Sequence, residues 1–100
     1  MLLFYVPCPN MEEAEKLASS VLSDKIAACA NILPGMTSMY EWDGSMQKEQ
    51  ETLLLLKCKT KNKDLLEKRL SELHSYECPC ILSFKPESIN SSFSNWINES

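Results

Sequence analysis

The sequence predicts an α+β fold of the ferredoxin-like kind: a βαββαβ sandwich in which two helices cover one antiparallel sheet, with a long β-hairpin and a short C-terminal helix. Three observations carry this expectation. A capped amphipathic helix follows a short apolar run at the start of the chain. Two long extended stretches then meet at Asp43-Gly44, the dipeptide of a two-residue type I′ turn. A second amphipathic helix is followed by another short apolar run. The order β-α-β-β-α-β is that of the split βαβ arrangement.

The elements follow in turn. Leu2 to Val6 is a continuous apolar run that reads as a buried strand. Asn10 is placed to cap a helix, with Glu13 three residues later in the capping-box position. Met11, Ala14, Leu17, Ala18, Val21 and Leu22 then form one apolar stripe that carries the helix to about Asp24. Ala28 to Leu33 opens the hairpin, and Pro34-Gly35 predicts a bulge or kink in it. The strand resumes from Met36 to Trp42 and turns at Asp43-Gly44. It returns through polar residues 45–51 into the apolar run Thr52 to Leu56. The base of this hairpin belongs in the core, and its tip projects. Thr60 or Asn62 opens the second helix, with Leu65, Leu66, Leu70 and Leu73 as its buried stripe and Asp64 with Lys68 as an exposed i,i+4 pair. A last strand is expected over Cys80–Lys85. A short helix near 91–98 follows, with Phe93, Trp96 and Ile97 on one face.

With 100 residues, 44% apolar and 24% charged, the whole span 1–100 reads as one globular domain. A net charge of −4 and a pI near 4.9 argue against nucleic acid as a partner, since phosphate binding needs an electropositive surface. Both helices have polar faces of mixed sign, which argues against membrane binding. The apolar start is too short for a signal peptide and lacks a basic region before it, so the expected location is cytoplasmic. Five cysteines (Cys8, Cys29, Cys58, Cys78, Cys80) fit reduced thiols there better than a disulfide framework.

Only one sheet face is covered by helices, and Met39, Tyr40, Trp42 and Met46 crowd the hairpin tip. Surfaces of this kind mark association, so a homo-oligomer is expected.

Several blocks carry a family resemblance. They are Ala27 to Gly35, Ser38 to Gly44, Glu51 through Thr60, His74-Ser75-Tyr76-Glu77-Cys78-Pro79-Cys80-Ile81-Leu82, and Phe93-Ser94-Asn95-Trp96-Ile97. Together, in this order, they resemble the CutA divalent-cation tolerance family over nearly the whole chain. The resemblance implies a tight homotrimer whose hairpins embrace neighbouring subunits. It also implies kinship in shape to PII-type signalling trimers, which bind effectors between subunits, and a link to copper in some members. The family's copper site draws on a thiol, the His of an H-P-Y segment and a carboxylate. Of these the chain keeps His74; Val6 stands at the thiol position, Cys80 replaces the carboxylate, and Ser75 replaces the Pro.

A local substitute for that site is His74-x3-Cys78-x-Cys80. Imidazole and thiolate are suitable ligands for copper or zinc, whereas magnesium and calcium prefer oxygen. The plainer reading has Cys78 and Cys80 packing as small side chains and His74 closing a helix, where its cation suits the dipole. A second candidate is the polar and aromatic set Tyr40, Trp42, Glu51, Lys57, Tyr76 and Trp96, which the resemblance places in clefts between subunits. Here too a plainer reading exists, with the aromatics as interface anchors and Lys57 reaching to solvent.

Catalytic patterns are sparse. Two isolated glycines build no phosphate loop and suggest no organic cofactor, and a single histidine makes no multi-histidine cage. The expected function is therefore non-enzymatic, and the resemblance implies metal (copper) tolerance through metal binding or signalling. The alternative is a PII-like adaptor that senses a small anion or metabolite between subunits.

Overall fold

Alternating burial along the first strand sets the architecture. In the computed structural model, which describes residues 1–100, β1 (Leu2–Cys8) buries Leu2, Phe4, Val6 and Cys8. β3 (Ser45–Cys58) does the same with Thr52, Leu54, Leu56 and Cys58, so one face of the sheet is core. β1 pairs antiparallel with β3 from Leu2↔Cys58 to Cys8↔Thr52, which aligns the two apolar rows. β2 (Cys29–Trp42) lies outside β3, and β4 (Leu82–Phe84) outside β1, giving the order β2-β3-β1-β4. This is the expected split βαβ sheet.

α1 (Met11–Ser23) starts where Asn10 Oδ1 accepts the Glu13 N–H at 2.8 Å. Its carboxylate does not return to Asn10 to complete a reciprocal capping box; it accepts the Ser75 N–H at 3.1 Å. Asn10→Ala should therefore cost about 1 kcal/mol, the usual worth of an N-cap, seen as a lower urea midpoint with unchanged slope. Ala14, Leu17, Ala18 and Val21 bury the helix on the sheet, and Leu22 at the edge of the stripe is partly exposed.

A 3₁₀ turn over Thr60–Asn62 leads into α2 (Lys63–Leu73). Leu66 and Leu70 are fully buried and Leu73 packs on the core, but Leu65 is exposed. The buried positions follow an i, i+4, i+7 ladder, and Leu65 lies one residue off it. Asp64 meets Lys63 at 3.8 Å rather than Lys68, and the link between the two helices is Arg69 with Asp24. α3 (Ser91–Glu99) buries Ile97.

The hairpin is built as its sequence predicts. Asp43 (φ 54°) and Gly44 (φ 79°) hold the two left-handed positions that a type I′ turn requires. Pairing slips between Leu33 and Met36, where Gly35 has φ 79°, so Pro34-Gly35 is a bulge. Two 14-residue strands at about 3.3 Å per residue reach about 46 Å, which matches the 47 Å longest dimension of the molecule. The accessible surface of 6501 Å² exceeds the roughly 5,800 Å² of a compact chain of this mass. The excess is physical: the hairpin projects, and the sheet face away from the helices leaves Leu33, Leu82 and Phe84 about half exposed.

β4 is shorter than expected. It spans Leu82–Phe84 only, because residues 75–81 run irregularly from α2 to the sheet. Pro79, with no N–H, contributes nothing to a ladder there.

Candidate functional site

Period-two alternation along β3 places Gln47, Glu49 and Glu51 on the face away from the helices. Direct cross-strand pairing sets Tyr40 opposite Gln47 and Trp42 opposite Ser45 on the same side. The irregular segment after α2 approaches this surface and brings Tyr76, Glu77, Cys78 and Cys80 to it. The result is a groove of about 950 Å³ between the hairpin and that segment.

The groove is acidic and soft in its chemistry. Glu49, Glu51 and Glu77 line it, no basic side chain does, and none of the three carboxylates is in an ion pair. The Tyr76 hydroxyl donates to Glu51 Oε2 at 2.8 Å. Burial, then this bond and the nearby negative charges, hold the Tyr76 hydroxyl well above its usual range. Hydrogen bonding to Glu49 raises the Tyr40 hydroxyl, with smaller contributions from burial and the charges of Glu49 and Glu51. Both tyrosines therefore stay protonated and aim donors at carboxylates. The Cys78 and Cys80 thiols are exposed at the same groove.

His74 is not part of it. Its ring is buried, with Nε2 2.8 Å from the Pro7 carbonyl oxygen, while Nδ1 accepts the Tyr76 N–H at 3.1 Å. An acceptor role at Nδ1 leaves the proton on Nε2, which donates to Pro7. Glu13 Oε2 lies 3.5 Å from Nδ1. Nε2 thus ties the start of the 74–80 segment to the end of β1, Nδ1 holds the segment's own Tyr76 N–H, and the link to the first turn of α1 is the Ser75 N–H donated to Glu13. No set of three His, Cys, Asp or Glu side chains within the chain converges to hold a metal ion, so the expected triad His74, Cys78 and Cys80 does not assemble. Val6, at the family's thiol position, is fully buried in the core.

Of the set expected in a cleft between subunits, four residues meet within the single chain. Tyr40, Trp42, Glu51 and Tyr76 share the groove, whereas Lys57 and Trp96 lie outside it. Lys57 Nζ donates to Asn31 Oδ1 at 3.0 Å and sits 5.3 Å from the Phe93 ring centre, so its charge is answered without Glu51. Trp96 stacks on Phe93 with ring centres 5.6 Å apart. Sequence reasoning missed Gln47, Glu49 and Glu77. The signal was present for the first two, because residues 47, 49 and 51 alternate in register with Tyr40 across the turn.

A four-stranded antiparallel sheet of this order, with helices on one face and a projecting hairpin, defines an α+β protein of the ferredoxin-like class. Within that class, the CutA1 divalent ion tolerance protein family matches residues 2–100, and the chain belongs to it. It is 35% identical over 94 residues to the divalent-cation tolerance protein CutA of Thermus thermophilus, covering 94% of this chain and 91% of that protein. It is 34% identical over 99 residues to the chloroplastic CutA 1 protein of Oryza sativa subsp. japonica, covering 99% of this chain and 56% of that protein. The chain thus spans little more than half the length of the plant relatives it matches, 54% in the case of the Arabidopsis thaliana protein. Among solved structures, CutA1 of Ehrlichia chaffeensis superposes with a TM-score of 0.95 at 28% identity, covering 98% of this chain and 92% of that one. No helix of the chain is long and apolar enough to cross a membrane.

Proposed function

We propose that the chain is a non-enzymatic subunit of a homotrimer that serves divalent-metal tolerance by holding a thiophilic ion, copper or zinc, at Cys78 and Cys80. The observation that carries this reading is the groove itself: two exposed thiols and three carboxylates outside any ion pair, with no basic side chain among them. The carboxylates raise the local concentration of cations, and sulfur ligands select soft or borderline ions over magnesium and calcium. Two thiolates from one chain leave the remaining coordination positions to water. The half-exposed apolar sheet face and the apolar hairpin tip support self-association. Free thiols throughout suit a reducing compartment, and the cytoplasm is the proposed location. The anion-sensing alternative draws its support from Lys57, which lies outside the groove and already has Asn31 as a partner.

Native mass spectrometry of the reduced protein, with and without added Cu(I), tests the reading. The expected species contains three 11.4 kDa chains and takes up metal saturably. The Cys78→Ala/Cys80→Ala double variant should keep the three-chain mass and lose the metal. Equal uptake by wild type and double variant would remove this site, and a monomer would remove the trimer.

A further inference from the structure

We propose that Cys78 and Cys80 are a reversible oxidation site: a hydroperoxide converts the pair to a disulfide within one chain, and that closure switches off metal binding in the groove. The inference deepens the metal-binding reading above and rests on it for its regulatory half.

Access and geometry select these two thiols from five. Cys8 and Cys58 are fully buried in the core. Cys29 is half-buried on β2, and Cys78 and Cys80 are the exposed ones. Both are exposed, one residue apart across Pro79, and both line the same groove. Residues two apart in extended chain have Cα atoms up to about 7 Å apart, and a disulfide requires about 4.4–6.8 Å; the segment must contract only slightly. Nothing in the backbone resists this. No backbone–backbone hydrogen bond outside the helices and strands involves residues 77–81, and Pro79 has no N–H to lose. The segment is nevertheless anchored at its start by His74 and Tyr76, so contraction stays local.

The chemistry balances with a hydroperoxide as oxidant. The sulfur of one cysteine attacks the peroxide oxygen, the O–O bond breaks, and a sulfenic acid forms with release of water or an alcohol. The second sulfur then attacks the sulfenic sulfur; the S–S bond forms, the S–O bond breaks and water leaves. Two electrons pass from the thiols to the peroxide. The product has no thiolate to offer, so both sulfur ligands are lost together. Conversely, a bound ion holds the sulfur lone pairs and slows the attack. A small, exposed ring of this kind is easily reduced again, as labile and regulatory disulfides are.

The test uses the full chain with Zn(II) as the metal probe, because zinc does not itself react with peroxide. The reduced protein receives one equivalent of hydrogen peroxide per chain, and free thiols are then alkylated under denaturing conditions. The expected result is a loss of two hydrogens per chain, mapped to a Cys78–Cys80 peptide that escapes alkylation. Zinc uptake should disappear in the oxidised protein, return after a thiol reductant, and protect the pair when zinc is added first. Cys80→Ser should form no such bond. Oxidation mapped to Cys29, or cross-links between chains in place of the internal bond, would overturn the site. Undiminished zinc uptake by the oxidised protein would overturn the switch. Absence of zinc uptake in the reduced protein would instead refute the metal-binding reading, and the mapped disulfide separates the two failures.

Discussion

Replacing His74 by alanine is expected to lower stability by about 3 to 5 kcal/mol, while leaving the metal uptake that depends on Cys78 and Cys80 in place. The expectation follows from the ring's partners. The Pro7 carbonyl oxygen loses its donor and the Tyr76 N–H loses its acceptor. A buried group left unpaired costs about 1–3 kcal/mol, the part-buried Tyr76 N–H less, and the void left by the imidazole adds to it. Urea unfolding of the variant measures the loss. Because the 74–80 segment is fixed at its start by this ring, the Tyr76–Glu51 hydrogen bond at 2.8 Å should loosen as well. A structural His74 predicts that a variant still folded at low temperature binds Zn(II) with wild-type stoichiometry. If the folded variant bound none, His74 would be a ligand, and its observed bonds to Pro7 and Tyr76 would have to break when metal enters.

The contrast between His74 and the groove shows what the sequence could reveal. The N-cap at Asn10, the turn at Asp43-Gly44 and the bulge at Pro34-Gly35 are local devices, each decided by a few neighbouring residues, and all were legible. The sheet order followed from the succession of elements. Leu65 misled because a leucine one position off a helical ladder has the same composition signal as one on it. The site was harder for a different reason. His74, Cys78 and Cys80 are close in sequence, yet the chain turns between them. The imidazole enters the protein against β1 and α1, and the thiols stay at the surface against the hairpin. The carboxylates that share the groove with the thiols, Glu49 and Glu51, are about thirty residues away in sequence, on a strand paired with β2. Proximity in sequence suggested a ligand triad; pairing across the sheet decides which carboxylates share the groove with the thiols.

The same logic assigns a different role to the thiol at the end of β1 and predicts a steep alkaline limit. Cys8 is fully buried, and its Sγ donates to the Val6 carbonyl oxygen at 3.6 Å. Burial first, then the charges of Glu13 and Glu51, push its thiol from 9.0 up to about 12. Below pH 9 the folded and unfolded chains both hold the proton, and the full stability is present. As pH rises from 9 towards 12 the unfolded chain ionises while the folded one does not, so stability is lost. The slope approaches about 1.4 kcal/mol per pH unit, for a total near 4 kcal/mol. Cys58, raised mainly by burial, and Tyr76 act in the same direction. Urea unfolding under reductant at several pH values from 8 to about 11 should show this decline in wild type. Cys8→Ala should start lower at pH 8, from the small cavity it leaves, and fall less steeply by about one proton's worth. Parallel declines in the two proteins would mean that Cys8 is free to ionise in the fold. The expected shallower slope keeps Cys8 a neutral core side chain, neither a metal ligand nor a target of oxidants.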